Sequence, residues 1–289
     1  MKKNIFKGIA TALYTPFKNE GKTVDYAAFE RLIERQLHSG INALVALGTT
    51  GESPTVSAEE RKEIISFVVK RVNGRVPVII GAGSNCTATA AKFAREAEKL
   101  GASAVLSVTP YYNKCNENGI LRHYAAIAGA TDLPIIIYNV PSRTGIDISP
   151  ETYAKLARIK TVAAIKECNT SLEKLNRSIN LTDGEISFYC GSDEVLPDFI
   201  NSGADGAISV SSNVIPDKII DIYLKKRSYY ETEREFVNAL FCDVNPIPVK
   251  YVTEVLFGES GDLRLPLTRA GKPQREYLTK AMNKLLKGV

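Results

Sequence analysis

The segment PIIIYNV, at residues 134–140, opens with a run of apolar side chains and contains only one strongly polar residue, Asn139. It lacks the alternation of apolar and polar residues that is typical of a strand with one face in water. Near-continuous apolar strands are typical of parallel sheets, in which helices cover the strands. The stretch PSRTG, at residues 141–145, follows at once and predicts a loop. The segment therefore favours a parallel α/β fold.

Seven further short runs, rich in apolar and β-branched residues, lie before and after this segment. Together they predict eight strands, at residues 9–15, 43–48, 76–81, 104–109, 134–140, 162–166, 186–190 and 207–210. The intervening segments have helical periodicity, at residues 26–39, 58–72, 87–100, 119–130, 150–159 and 171–180. Eight successive strand–helix units predict an α/β fold of the (β/α)8 TIM barrel type. An open doubly wound sheet is the alternative that counting alone leaves open.

Local signals at the predicted helix starts support these boundaries. Ser57 and Glu60 have the spacing of a capping box, and Asp25 and Thr87 are predicted N-caps. Ser149 precedes a proline, which is favoured at the first helical position. The helices are therefore predicted from their capping residues as well as from their periodicity.

Beyond residue 210 the sequence has helical periodicity without further strand-like runs. The predicted helices cover residues 218–226, 233–242, 249–256 and 273–286. We interpret residues 1–225 as a barrel that carries the catalytic site. Residues 226–289 are then a C-terminal helical extension packed on the barrel.

The charge and apolar content of the chain restrict its partners. Lys and Arg number 37 and Asp and Glu 32, which gives a formal net charge of +5. The densest basic cluster, residues 225–227, has few aromatic neighbours, so a nucleic-acid partner is not expected. The apolar runs are too short to span a bilayer, and no signal-peptide pattern follows the basic N-terminus. We therefore expect a cytoplasmic protein with no membrane partner.

The cysteines and histidines argue against metal chemistry. Five cysteines are an odd number and include no CxxC pair, so we expect reduced, mostly buried thiols and neither disulfides nor a zinc site. His38 and His123 lie in predicted helices without the spacing of paired ligands, and we expect both on helix surfaces. No P-loop and no complete GxGxxG is present, so no nucleotide cofactor is expected. The chemistry therefore falls to Lys, Tyr, Thr or carboxylate side chains.

Lys166 is the most informative candidate residue. It ends the apolar run of residues 162–165, so its side chain is predicted to point into the mouth of the barrel, where TIM-barrel active sites lie. A strand-end lysine that extends into solvent is the alternative. An inward amine whose pKa is lowered by burial can attack a carbonyl, and the resulting imine withdraws electrons from the adjacent carbon. Such a lysine would make or break carbon–carbon bonds without a metal.

Hydroxyl and guanidinium groups lie at the ends of other predicted strands. Thr49, Tyr112 and Tyr138 could form a relay for protons, or the tyrosines could simply pack. Thr49 and Thr50 lie between glycines, in a loop that could hold a carboxylate. Arg143 could clamp a carboxylate through two hydrogen bonds, or it could pair with a surface acid.

Four motifs in this order resemble the dihydrodipicolinate synthase family. They are GTTGE at residues 48–52, PYY at 110–112, YNVPSRTG at 138–145 and KE at 166–167. The resemblance covers essentially the whole chain. It implies condensation of pyruvate with L-aspartate 4-semialdehyde to 4-hydroxy-tetrahydrodipicolinate, in lysine and diaminopimelate biosynthesis. It implies no cofactor and a homo-oligomer, commonly a dimer of dimers.

The resemblance also implies a role for each matching residue. Lys166 would form the Schiff base, and Thr49, Tyr138 and Tyr112 would relay protons, with Tyr112 reaching into the site of a neighbouring subunit. Thr50 would hold the pyruvate carboxylate and Arg143 that of the semialdehyde. Backbone at Gly191 and Ile208 would line the site.

Related enzymes with the same lysine chemistry supply the alternatives. These are N-acetylneuraminate lyase and 2-keto-3-deoxy-sugar-acid aldolases, and the loop at residues 143–145 together with Thr49 and Thr50 favours the synthase. A non-catalytic binding protein on the same scaffold is a third alternative. Lysine-inhibited family members carry Glu and His around an interface pocket, where this chain has Thr89, Ala58 and Arg61. We therefore expect little or no inhibition by lysine.

Overall fold

A computed structural model describes residues 4–287. Eight parallel strands form a closed barrel in which the first strand pairs with both the second and the last: Ala10 is opposite Ala43 on one side and Ile208 on the other. The strands are β1 (Gly8–Ala12), β4 (Ala43–Ala46), β5 (Val78–Gly81), β6 (Ala104–Val108), β7 (Ile135–Asn139), β8 (Val162–Glu167), β9 (Ser187–Cys190) and β10 (Gly206–Ser209). The predicted barrel is confirmed, and the open sheet is excluded. A short antiparallel hairpin, β2 (Phe17–Lys18) and β3 (Thr23–Val24), lies outside it.

Helices connect the strands and continue beyond the barrel. They are α1 (Tyr26–His38), α2 (Ala58–Val72), α3 (Thr87–Lys99), α4 (Glu117–Ala128), α5 (Pro141–Thr144), α6 (Pro150–Leu156), α7 (Leu172–Leu181), α8 (Leu196–Asn201), α9 (Pro216–Lys225), α10 (Glu231–Ala239), α11 (Ile247–Phe257) and α12 (Lys272–Lys287). The short α5 and α8 were not predicted. A helix of two turns or fewer does not display a full amphipathic period in the sequence.

Most of the predicted helix starts are confirmed. Asp25 caps α1 by accepting from two backbone N–H groups, and Ser57 and Glu60 form both bonds of the capping box. The N-cap prediction for Thr87 is wrong, because Cys86 occupies that position and Thr87 is the first helical residue. The Thr87 hydroxyl instead contacts a side chain of the neighbouring helix α4.

That side chain belongs to His123, which is not the surface residue that was predicted. Its Nδ1 lies 3.0 Å from Thr87 Oγ1, and the residue is buried between α3 and α4. Burial lowers the pKa of the His123 imidazole to about 4, so the ring is neutral near pH 7. His38, by contrast, lies on the surface of α1 as predicted.

The prediction of mostly buried thiols is also wrong. All five cysteines are free, but only Cys190 is fully buried, while Cys86 is exposed and the other three are partly buried. Four of the five thiol side chains are therefore at least partly exposed to solvent.

The barrel interior is filled mainly by small and branched side chains. They include Ala10, Ala43, Val45, Ile79, Ala104, Leu106, Ile136, Ala164 and Ile208. Phe6, just before β1, stacks on Tyr189 with ring centroids 4.2 Å apart. This pair fills the barrel interior at the end where the strands begin.

The C-terminal helices α10, α11 and α12 pack in a second apolar cluster, which includes Phe236, Val252 and Leu278 and also Val210 and Val214 beyond the last barrel strand. They follow α9, which ends at Lys225. The division between residues 225 and 226 stays a prediction. Among residues 4–287, no helix is long and apolar enough to cross a membrane.

Candidate active site

Lys166 is buried at the end of β8, with 5% of its surface exposed. Residues two apart on a strand face the same side, so Lys166 points into the barrel like Ala164. The alternative of a lysine that extends into solvent is thereby excluded. Burial lowers the pKa of the Lys166 amine below its usual value, against the opposing charges of nearby groups. The amine is thus shifted toward its nucleophilic form.

Tyr138 lies next to Lys166 on the adjacent strand. The two residues are in register on β7 and β8, and Lys166 Nζ is 4.4 Å from the centroid of the tyrosine ring. Burial raises the pKa of the Tyr138 hydroxyl, and a hydrogen bond with the Thr49 side chain opposes part of that increase. The structure therefore brings Lys166, Tyr138 and Thr49 together, as predicted.

Thr50 and Arg143 are linked by a residue that sequence reasoning missed. The Asn245 amide Nδ2 donates to Thr50 Oγ1 at 2.9 Å, and the Asn245 carbonyl accepts from Arg143 Nη2 at 3.3 Å. Arg143 lies on the short helix α5 at the mouth of the barrel, and its partner is a backbone carbonyl rather than the surface acid of the alternative interpretation. The signal in the sequence was NPIPVK, at residues 245–250, where an asparagine with two nearby prolines precedes a helix.

Gly191 follows β9 in a position that has no room for a side chain. A Cβ atom there would lie 2.4 Å from Cys168 Sγ and 3.0 Å from Lys166 Cε. Ile208 is fully buried on β10 and packs in the barrel interior. Gly191 is thus close to Lys166 and Ile208 lies in the barrel interior, and the lining of the site by their backbone stays a prediction.

Cys168 is the thiol nearest to these groups. It hydrogen-bonds the Tyr138 side chain, and burial raises the pKa of the thiol to about 11. A thiol with this pKa stays protonated near pH 7 and is a poor nucleophile. Cys168 therefore contributes packing and a hydrogen bond rather than reactivity.

Glu167 fixes the strand end from the opposite face. Its buried carboxylate accepts from Asn139 Nδ2 at 2.7 Å and from the Tyr153 hydroxyl at 2.7 Å. Lys174 Nζ lies 3.1 Å from the same carboxylate. These contacts hold the end of β8, and with it the backbone of Lys166.

A cavity of about 470 Å³ opens at the mouth of the barrel, and Tyr138, the neighbour of Lys166, lines it. Its walls include Thr49, Tyr111, Tyr138 and Arg143. A pocket of this size suits a small organic substrate. Its polar groups are two phenols, several aliphatic hydroxyls and one guanidinium, which match carbonyl and carboxylate groups.

Tyr112 is a predicted site residue that does not line this cavity, and Lys166, Thr50, Gly191 and Ile208 are not among its lining residues either. Tyr112 is 90% exposed and has a left-handed backbone with φ +69°, whereas its neighbour Tyr111 lines the cavity. Within residues 4–287 of one chain, two of the three predicted relay hydroxyls lie together, those of Tyr138 and Thr49.

Comparisons with known proteins agree with this geometry. Residues 5–285 match the model of the dihydrodipicolinate synthetase family. The chain is 47% identical to a 4-hydroxy-tetrahydrodipicolinate synthase of Kosmotoga olearia, over 96% of this chain and 98% of that protein. A solved dihydrodipicolinate synthase of Thermotoga maritima superposes with a TM-score of 0.93 at 41% identity, covering 97% and 99% of the two chains. A monomeric dihydrodipicolinate synthase variant has a TM-score of 0.92 at 40% identity, covering 97% of each chain.

Proposed function

This chain belongs to the dihydrodipicolinate synthetase family, and we propose that it condenses pyruvate with L-aspartate 4-semialdehyde through a Schiff base on Lys166. It is a lyase of that family, and the product is 4-hydroxy-tetrahydrodipicolinate, for lysine and diaminopimelate biosynthesis. The observation that carries the proposal is the buried Lys166 amine beside Tyr138, which lines the cavity at the barrel mouth. The cytoplasmic location stays a prediction.

The lysine chemistry follows from the burial of the amine. Neutral Lys166 Nζ attacks the keto carbon of pyruvate, and loss of one water gives the imine. The imine accepts electrons when the adjacent methyl carbon loses a proton, so an enamine forms without a metal or an organic cofactor. The enamine carbon attacks the aldehyde carbon of the semialdehyde. The substrate amine then attacks the imine carbon, closes the ring and releases the lysine.

Each proton transfer in this reaction needs a group that carries the proton. Tyr138 is a neutral phenol in contact with Thr49, so it can donate to the leaving hydroxyl and recover a proton through Thr49. Tyr112 completes the relay from a neighbouring copy of the chain. Its 90% exposure, outside its own cavity, supports that assignment. The working enzyme is then at least a homodimer, and we propose a dimer of dimers.

The carboxylates of both substrates need separate partners. Thr50, with the N–H groups of its loop, binds the pyruvate carboxylate near Lys166. Arg143, at the mouth, binds the carboxylate of the semialdehyde through charge-assisted hydrogen bonds. Backbone at Gly191 and Ile208 lines the space between them.

The test is to trap the imine. We would incubate the folded protein with pyruvate and cyanoborohydride and measure its intact mass, with Lys166→Ala as the matched variant. We expect a pyruvate-sized adduct on the wild type and none on the variant. In a separate assay, we expect the wild type to turn over the semialdehyde but not a keto-deoxy-sugar acid. A folded wild type that gains no mass would refute the Schiff-base mechanism.

A further inference from the structure

A buried ion pair connects the barrel to the C-terminal helices. Lys250 Nζ, on α11, donates to Glu52 Oε1 at 2.5 Å, and both side chains are almost fully buried. Lys250 also donates to the Asp262 carbonyl at 2.7 Å. The second Glu52 oxygen accepts from the Arg264 backbone N–H at 3.0 Å. Glu52 thus holds two separate parts of the C-terminal region.

Both members of the pair are close in sequence to residues of the active site. Glu52 ends the loop that carries Thr49 and Thr50, and Lys250 lies in the first turns of the helix that follows Asn245. Asn245 in turn donates to Thr50 Oγ1 and accepts from Arg143. The ion pair and Asn245 therefore form two adjacent bridges between the same loop and the same end of α11.

The backbone of Glu52 indicates why a carboxylate is placed there. Its φ of +52° lies in the left-handed region, which residues with a Cβ rarely adopt. Glycine would suit that conformation better, but it could not accept from Lys250 and Arg264. The strained conformation is thus coupled to the ion pair and to the shape of the loop.

We propose that Glu52 and Lys250 are positioning residues, whose ion pair places Asn245 so that it holds Thr50 and Arg143 where the substrate carboxylates bind. The inference rests on the proposed function, because it assigns those carboxylates to Thr50 and Arg143. It extends that function to two residues that touch neither substrate. Their effect is on the KM values and on the yield of trapped imine at limiting pyruvate.

A second tie between the barrel and the C-terminal region provides a matched control. Glu259, beyond the other end of α11, is buried and accepts from Arg35 Nη1 at 3.1 Å and from the Tyr14 hydroxyl. Among the hydrogen bonds and ion pairs of residues 4–287, none joins Glu259 to Asn245. Glu259→Gln therefore weakens the attachment of the same helix without removing a hydrogen bond to Thr50, Asn245 or Arg143.

The experiment compares Lys250→Met, Glu52→Gln and Glu259→Gln with the wild type, well below the melting temperature of each. We expect Lys250→Met to raise the pyruvate KM about tenfold or more, with a smaller rise for Glu52→Gln and less than about a twofold change for Glu259→Gln. If Lys250→Met does not fold, the comparison between the two glutamine variants, which keep the side-chain shape, decides the question.

Asn245→Ala tests whether the effect passes through Asn245. In that background Lys250→Met should raise the pyruvate KM by less than about twofold, because the ion pair acts on the site through Asn245, which is already removed. The inference would be overturned if the effects of Lys250→Met and Asn245→Ala were additive. It would also be overturned if Glu259→Gln raised the pyruvate KM as much as Lys250→Met does. If the wild type traps no pyruvate, the proposed function itself fails. If the wild type traps pyruvate but the variants have an unchanged KM, only the positioning role is refuted.

Discussion

Lys166 and Tyr138 lie opposite each other on neighbouring strands, with the lysine Nζ 4.4 Å from the centroid of the tyrosine ring. Burial lowers the pKa of the amine and raises that of the phenol. Both shifts have the same physical cause, since burial destabilises the charged form of each group. Burial thus shifts the amine toward its neutral, nucleophilic form and keeps the phenol beside it protonated.

This relationship predicts the pH dependence of imine formation. A lowered pKa increases the neutral fraction of Lys166 at every pH below the ordinary lysine value of 10.5. The initial rate of pyruvate trapping should therefore rise with pH and reach its midpoint below 10.5. Tyr138→Phe should slow trapping by about 10² or more without moving that midpoint to 10.5, because the lysine stays buried. A wild-type midpoint at 10.5 would contradict the assignment.

Tyr112 predicts complementation between two inactive variants. If Tyr112 serves the neighbouring subunit, a mixed dimer of Lys166→Ala and Tyr112→Phe chains contains one site with both residues intact. Random mixing at equal amounts should then restore about a quarter of the wild-type activity, since half of the dimers are mixed and half of their sites are complete. Tyr112→Phe and Lys166→Ala alone should be nearly inactive. A mixture with no more activity than the separate variants would place Tyr112 outside the relay.

The sequence was sufficient for the barrel but not for every contact in it. Apolar strands and amphipathic helices carry their burial pattern in their own residues, so each could be located without knowledge of its neighbours. The burial of His123 depends on a second helix, α3, which a pattern along one helix does not reveal. The bond from Asn245 to Thr50 spans 195 residues of sequence and exists only because the C-terminal region folds back onto the barrel mouth.

Lysine should not inhibit this enzyme. Arg61 is buried, donates to the Gly81 carbonyl at 2.5 Å and lies 3.7 Å from Glu96, with its guanidinium 4.2 Å from the Phe93 ring centroid. A fixed positive charge there repels the ammonium groups of lysine. Initial rates at saturating pyruvate should stay unchanged as lysine is added to millimolar concentration. Strong inhibition at low lysine concentration would show that other residues bind it.

Gly191 should not tolerate a side chain. In Gly191→Ala the new Cβ would lie 2.4 Å from Cys168 Sγ and 3.0 Å from Lys166 Cε, so the lysine must move. We expect at least a tenfold loss of imine trapping, because a shift of about an ångström in a reacting group is costly. Cys168→Ala alone should remain active, and the double variant should regain part of the loss. No recovery would mean that the Glu167 carbonyl, 3.0 Å from the same atom, dominates the clash.

His123 predicts how stability changes in mild acid. Its pKa is lowered by burial to about 4, against 6.5 for an ordinary histidine, and its Nε2 is buried without a partner. Between these two values the unfolded chain binds a proton that the folded chain does not. The free energy of unfolding should therefore fall as the pH decreases through that window, by up to about 3 kcal/mol from this residue.

Denaturant unfolding at pH 7 and at about pH 5 measures this effect, and the other histidine provides its control. His123→Gln removes the titrating group and should lose less stability between the two pH values than the wild type. His38→Gln, on the exposed surface of α1, should lose as much as the wild type. Equal losses in His123→Gln and the wild type would show that carboxylates rather than His123 cause the acid sensitivity, because both proteins share every carboxylate.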